Sequence, residues 1–184
     1  MIRITNPIEF ANGLNTWFEE TAREVEAVFR GYTIKVFGFI ALETPQYQGT
    51  VVMNWKYGVG SASVGAGDST LVTRARGKDV DPLQKGEAAA IEYAAGQNSS
   101  RPDEVKFDGA LNLPSVYIVN ALTDDYVGRM ESSPESFLRD VNLPGHMLER
   151  AANLYGDVTI DSNYASRLKT ARMTFGDFEL PAGV

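Results

Sequence analysis

NPIEFANGLNTWFEETAREVEAVFRGYTIKVFGFIAL, residues 6–42, decides how the rest of the chain is read. Asn6 offers a side-chain oxygen to cap a first helical turn, and Pro7 stands where a missing N–H costs nothing. Phe10, Leu14, Trp17, Phe18, Val25, Val28 and Phe29 recur three or four residues apart, the spacing of one helical face. Glu19, Glu20, Arg23, Glu24 and Arg30 fall largely on the other side, and Thr44-Pro45 supplies a stop. The reading is one long amphipathic helix from Asn6 to about Leu42. The alternative makes Tyr32 to Leu42 a buried strand, because Ile34, Val36, Phe37, Phe39 and Ile40 favour sheet.

An unbroken helix of this length spans about 55 Å at about 1.5 Å per residue. A compact domain of 184 residues has a radius of gyration of about 16 Å, hence a diameter near 40 Å. Either the helix bends, at Gly31 or Gly38, or it overhangs its own domain. An overhanging apolar stripe needs a partner, and another copy of the chain is the simplest one.

Outward from this stretch, Thr44 to Gly49 is a turn-forming linker. Thr50 to Tyr57 (TVVMNWKY) reads as a strand. Gly58 to Gly67 (GVGSASVGAG) is a glycine-rich loop, and Thr70 to Thr73 continues as a second strand. Asp81-Pro82 opens a helix carried by Leu83 to Ala95 and stopped at Gly96. Gln97 to Asp108 reads as a mobile polar loop, so 81–108 forms a polar helical insert. Val116 to Asn120 (VYIVN) is a strand, Thr123 to Glu131 a short helix or turn, and Ser133 to Ser136 the start of a further segment. His146 to Tyr155 is a helix closed by Gly156. Thr159 onward is ambiguous, and Phe175 to Val184 a loose tail. The fold class is therefore α+β: one domain over 1–184, with a long helix packed on a small antiparallel sheet or partial barrel. Its expected core is Leu14, Trp17, Val25, Phe29, Val52, Trp55, Tyr117 and Val119.

Composition narrows the chemistry. The chain has no cysteine, which removes disulfides, thiol chemistry and Cys-based metal sites. The N-terminus carries no signal-peptide pattern and no stretch reaches a membrane span, so a soluble chain made in the cytoplasm is expected, and Asn98-Ser99-Ser100 is no glycosylation site. Net charge is −7, which argues against gripping nucleic-acid phosphates but suits a surface that DNA passes without sticking.

No motif assembles a reaction centre. The loop Gly58–Gly67 lacks the Gly-Lys-Ser/Thr that opens a helix in a phosphate-binding loop, and Gly77-Lys78-Asp79 has the wrong third residue. His146, the only histidine, lacks partners at metal or triad spacing and reads as a surface or interface side chain. Ser166-x-x-Lys169 lacks the accompanying elements of penicillin-binding enzymes. Glu19-Glu20 and Asp124-Asp125 are adjacent pairs that diverge on a helix, and Asp157 and Asp161 flank a possible strand. Trp17, Trp55 and Tyr57 read as core aromatics rather than stacking platforms. The expectation is no catalytic residue, no metal and no cofactor.

Two places, with the helix before them, carry a resemblance. The first is the helix ending at Thr44-Pro45-x-x-x-Gly49, followed by a strand through Asn54-Trp55. The second is Val116 to Asn120, then Tyr126, Met130-Glu131 and Pro144-x-x-Met147. Over about Leu14 to Leu154 the chain resembles the tail-completion and neck proteins of long-tailed bacteriophages, although its turn holds one residue more than that family's. The resemblance implies a non-enzymatic virion protein forming a ring, hexameric by preference, that terminates the tail or joins it to the head. It implies connector or adaptor and tail-tube proteins as partners, DNA passing through the channel, and no membrane. Loops at Gly58–Gly67 and Gln97–Asp108 are then contact arms that order on assembly. The alternative from another class is a small cytoplasmic enzyme or ligand-binding domain.

Overall fold

A computed structural model describes residues 7–44, 49–71, 86–108, 112–122, 127, 128, 130, 146–155, 158–161 and 170–174. Helix α1 spans Pro7–Glu43 without a break, so the strand alternative for Tyr32–Leu42 is overturned. Burial shows why. A strand would put Ile34 and Val36 on the same side, yet Val36 is fully buried while Ile34 is 47% exposed. Phe29, Thr33, Val36, Phe37 and Ile40 are buried instead, three or four apart. Tertiary burial on a helical period has overridden the strand preference of β-branched residues.

Thr44 ends the helix and ties it to the sheet. Its hydroxyl donates to Ile40 O at 2.5 Å and accepts the Trp55 indole N–H at 2.8 Å. Thr50–Met53 then forms a helical turn, α2, entered through Gly49 at φ 77°, where the sequence reads as strand. Two things make the turn: Met53 N–H donates to Gly49 O, and burial of Val52 and Met53 with Ala41 and Ala90 needs a turn rather than an extended segment. Strand β1 begins only at Trp55 and runs to Val59. Thr70 lies in a turn and Leu71 outside any strand, so that half of the expected second strand is absent; 72 and 73 lie outside the described residues.

Helix α3 covers Gly86–Gln97, one residue past Gly96; its expected opening at Asp81-Pro82 lies outside the described residues. Then come a 3-10 turn at Arg101–Glu104, strand β2 at Val116–Asn120, helix α4 at Met147–Tyr155, and strands β3 at Val158–Asp161 and β4 at Thr170–Met173. The sheet is antiparallel in the order β1-β2-β4-β3. Trp55 pairs with Asn120 and Tyr57 with Ile118, while Ile118 also pairs with Ala171 and Val116 with Met173. Period-2 alternation therefore brings Trp55, Tyr57, Val116, Ile118, Ala171 and Met173 to one face, where they meet Phe29, Val36, Phe37 and Ile40 of α1. The molecule is α+β, a long helix laid on a small antiparallel sheet with short helices around it.

The expected core is right in part. Phe29, Val52, Trp55 and Val119 are fully buried or nearly so. Val25 and Tyr117 are half-buried, and Tyr117 points to the second face, beneath the Arg172 guanidinium at 5.9 Å. Leu14 and Trp17 are not core at all, at 38% and 56% exposed. They lie on a part of α1 that has left the sheet behind.

Candidate assembly surface

Helix α1 carries two stripes. The inner one, from Phe29 to Ile40, packs on the sheet. Helix α4 covers its flank: Tyr32 Oη donates to Tyr155 O at 3.0 Å, Phe39 meets Tyr155 edge to face at 5.6 Å, and Arg150 pairs with Glu43. The outer stripe is Leu14, Trp17, Thr21, Glu24, Val28, Gly31, Lys35, Gly38 and Leu42. Its steps alternate three and four, the seam along which one helix packs on another. None of the nine is buried. Val28 is 41% and Leu42 54% exposed, with Phe18 beside the seam at 55% and Ile34 at 47%. Residues 11–20 are exposed without exception. The helix thus runs through Gly31 and Gly38 and overhangs.

Both glycines are conspicuous for what they do not touch. A Cβ built on Gly31 or Gly38 meets nothing within 4 Å. Glycine in a helix interior costs about 0.5–1 kcal/mol relative to alanine, and no contact among the described residues asks for it here.

The glycine-rich loop is anchored to the sheet. Asn54 Nδ2 donates to Thr50 O and Asp68 O, its Oδ1 accepts Asp68 N–H, and Gly67 N–H donates to Ala121 O. A Cβ on Gly58 would stand 2.3 Å from Ser61 O, and one on Gly67 2.5 Å from Ala121 O. Close backbone approach accounts for glycine at both ends. The Asp68 carboxyl is held below its usual pKa by hydrogen bonds from the Thr70 hydroxyl and N–H.

Gln97–Asp108 likewise departs from the expected mobile loop. The Asn98 amide spans the open edge of β1, donating to Trp55 O at 3.1 Å and accepting Tyr57 N–H at 2.8 Å, while a second donor reaches Ala94 O. One side chain stands in for a neighbouring strand and closes that edge. Val105 is fully buried, Arg30 reaches Asp103 and Val105 O, and Glu26 accepts Phe107 N–H. The segment is packed against α1.

A cavity of about 250 Å³ opens between β1, α3 and the glycine loop, lined by Asn54, Lys56, Tyr93, Gln97, Asn98 and Arg101 among others. It is smaller than usual ligand sites. Four of its polar residues are engaged: Asn54 and Asn98 as above, Lys56 with Ala66 O and Arg101 with Glu104.

The other singled-out residues scatter. Trp55 and Tyr57 are core; Tyr57 Oη hydrogen-bonds Thr33, and burial pushes its pKa up to about 12. Glu19 and Glu20 are exposed, Glu19 pairing with Arg23 at 3.8 Å. His146 is a half-exposed residue at φ 51° before α4, its Nδ1 3.3 Å from Glu149. Asp161 ends β3. Ser166, Lys169, Asp124, Asp125, Asp157 and Gly77 to Asp79 lie outside the described residues, as do Tyr126, Glu131, Pro144 and the tail 175–184. Among the described residues no three His, Asp or Glu side chains gather as a metal site, and no helix is long and apolar enough to cross a membrane. The sequence reading has an overhanging apolar stripe but sets Leu14, Trp17 and Val28 on the same face as Val25 and Phe29; the 3-4 spacing from Leu14 to Leu42 was the signal that separates the two. Compared with protein-family models, curated proteins and solved structures, the chain matches none.

Proposed function

We propose that the protein is a structural subunit of the bacteriophage neck, assembling as a ring that joins or terminates the tail at its head-proximal end and lets DNA pass. The observation that carries the reading is the overhanging α1, whose seam from Leu14 to Leu42 holds no buried residue. The residues behind the resemblance have structural work that fits an assembly protein: Thr44 clasps Trp55, Asn54 pins the glycine loop, and Asn120 Nδ2 donates to Val51 O at 2.8 Å. Net charge of −7 suits a channel wall that DNA slides past. Partners are then sibling subunits and the connector, adaptor and tail-tube proteins.

Electron microscopy of the concentrated protein tests this, with closed rings expected and featureless monomers contradicting it. Duplex DNA binding by the isolated protein should be weak at all salt concentrations. A tight complex weakening steeply with salt would reveal phosphate contacts and exclude a passive channel. The cavity beside Asn98 is the feature an enzyme or binding domain would use. Saturable binding of a small molecule there would favour that second reading.

A further inference from the structure

We infer that the outer seam of α1 is a head-to-tail docking surface for a second copy of this chain, with the bulky N-terminal half of one helix seated on the glycine-notched C-terminal half of the next. This rests on the assembly reading above and names the contact.

The two halves of the seam are unlike and complementary. The N-terminal half presents Leu14, Trp17 and Phe18, all exposed, with Trp17 and Phe18 edge to face at 5.0 Å as one aromatic knob. The C-terminal half presents Gly31 and Gly38, seven residues apart and open to 4 Å. Those glycines leave two hollows one heptad apart, wide enough for another helix to approach closely. Exposed Glu20 and Glu24 lie on the first half and exposed Lys35 on the second. Shifting one helix along another by about two heptads lays Trp17 over Gly31 and brings Glu20 and Glu24 beside Lys35.

At roughly 150–250 Å² for a large side chain, the exposed fractions of Leu14, Trp17, Phe18, Val28, Ile34 and Leu42 amount to about 500–600 Å² per copy. Each copy divides this surface between its two neighbours, so one contact buries about 500–600 Å² of apolar surface in all, about half of the roughly 1,200 Å² at which stable interfaces begin, the regime of a weak contact that ring closure reinforces. Because the contact joins two different patches, each copy offers one to either neighbour, and repetition closes a ring when the rotation allows.

Two variants separate the halves: Trp17→Ala removes the knob, and Gly31→Leu fills the notch that receives it, where an added Cβ meets nothing within 4 Å. Measured by sedimentation velocity from micromolar to millimolar, each alone should need more than tenfold higher concentration to associate than the wild type, with an unreduced melting temperature. Mixed, they retain one intact knob and one intact notch, so a one-to-one dimer should appear and go no further. In the cysteine-free background, mixed Thr21→Cys and Lys35→Cys chains should join through a short bis-maleimide more readily than Thr21→Cys with itself. A wild type monomeric at every concentration, its seam covered by its own chain, overturns the inference. Rings indifferent to both variants overturn it while leaving the neck reading standing. Knob-and-notch contacts that stop at dimers in the wild type keep the inference and remove the ring.

Discussion

Thr44 and Trp55 bind two elements through one hydrogen bond in a buried place. Trp55→Ala should cost about 3–5 kcal/mol by cavity formation. Thr44→Val keeps the shape but strands the indole N–H, for about 1–3 kcal/mol; urea denaturation reads both. Tyr57 gives a pH signature. Its pKa is raised to about 12 from 10.0, so its contribution is fully present below pH 10 and is lost as pH rises toward 12, where only the unfolded chain ionises freely. The wild type should therefore lose stability between pH 10 and 12 more steeply than Tyr57→Phe. Equal slopes would mean that the hydroxyl is not buried. At this scale the large core residues were legible: Phe29, Val52, Trp55 and Val119 declare themselves by size and context. The amides of Asn54, Asn98 and Asn120 were not, because their partners are backbone atoms whose positions only the fold supplies.

Among elements, α1 and β2 were legible because their periods are long or their neighbours clear. Thr50–Met53 was misread because four residues carry no period, and the choice between turn and strand was made by Gly49 and the burial of Val52. Strand β3 was read only as a possible strand between Asp157 and Asp161, and β4 was missed, for a related reason: four residues each, they gain their definition by pairing with one another and, for β4, with β2. Gly31 and Gly38 were read as possible hinges, yet helix runs through both. Alanine at either should raise stability by about 0.5–1 kcal/mol, since the space beside each is empty. A lowered melting temperature would show that the helix needs glycine there for its own path. Asn98→Ala removes three hydrogen bonds and reopens the edge of β1. It should cost about 2–3 kcal/mol and raise the aggregation rate on heating, measurable by light scattering. A variant as soluble and stable as the wild type would mean that the edge is protected by something else.

For the molecule as a whole, the fold class could be read from the order of elements, but which of the two stripes of α1 stays outside could not. Leu14 and Trp17 have the hydrophobicity of core residues and lie in line with Val25. Only the position of the sheet, which ends against the C-terminal half of the helix, decides that they stay outside. An exposed aromatic pair on a rod, Trp17 with Phe18, is a costly surface for an isolated subunit and a useful one for an assembling subunit. The acidic balance of the chain fits a ring around DNA better than a clamp upon it.

The central claim, that sibling copies cover the outer face of α1, is tested most directly by sedimentation velocity of the unaltered protein from micromolar to millimolar concentration. A concentration-dependent shift from subunit to a discrete closed oligomer is expected. A single species at 20.1 kDa across the whole range would refute coverage of α1 by sibling copies.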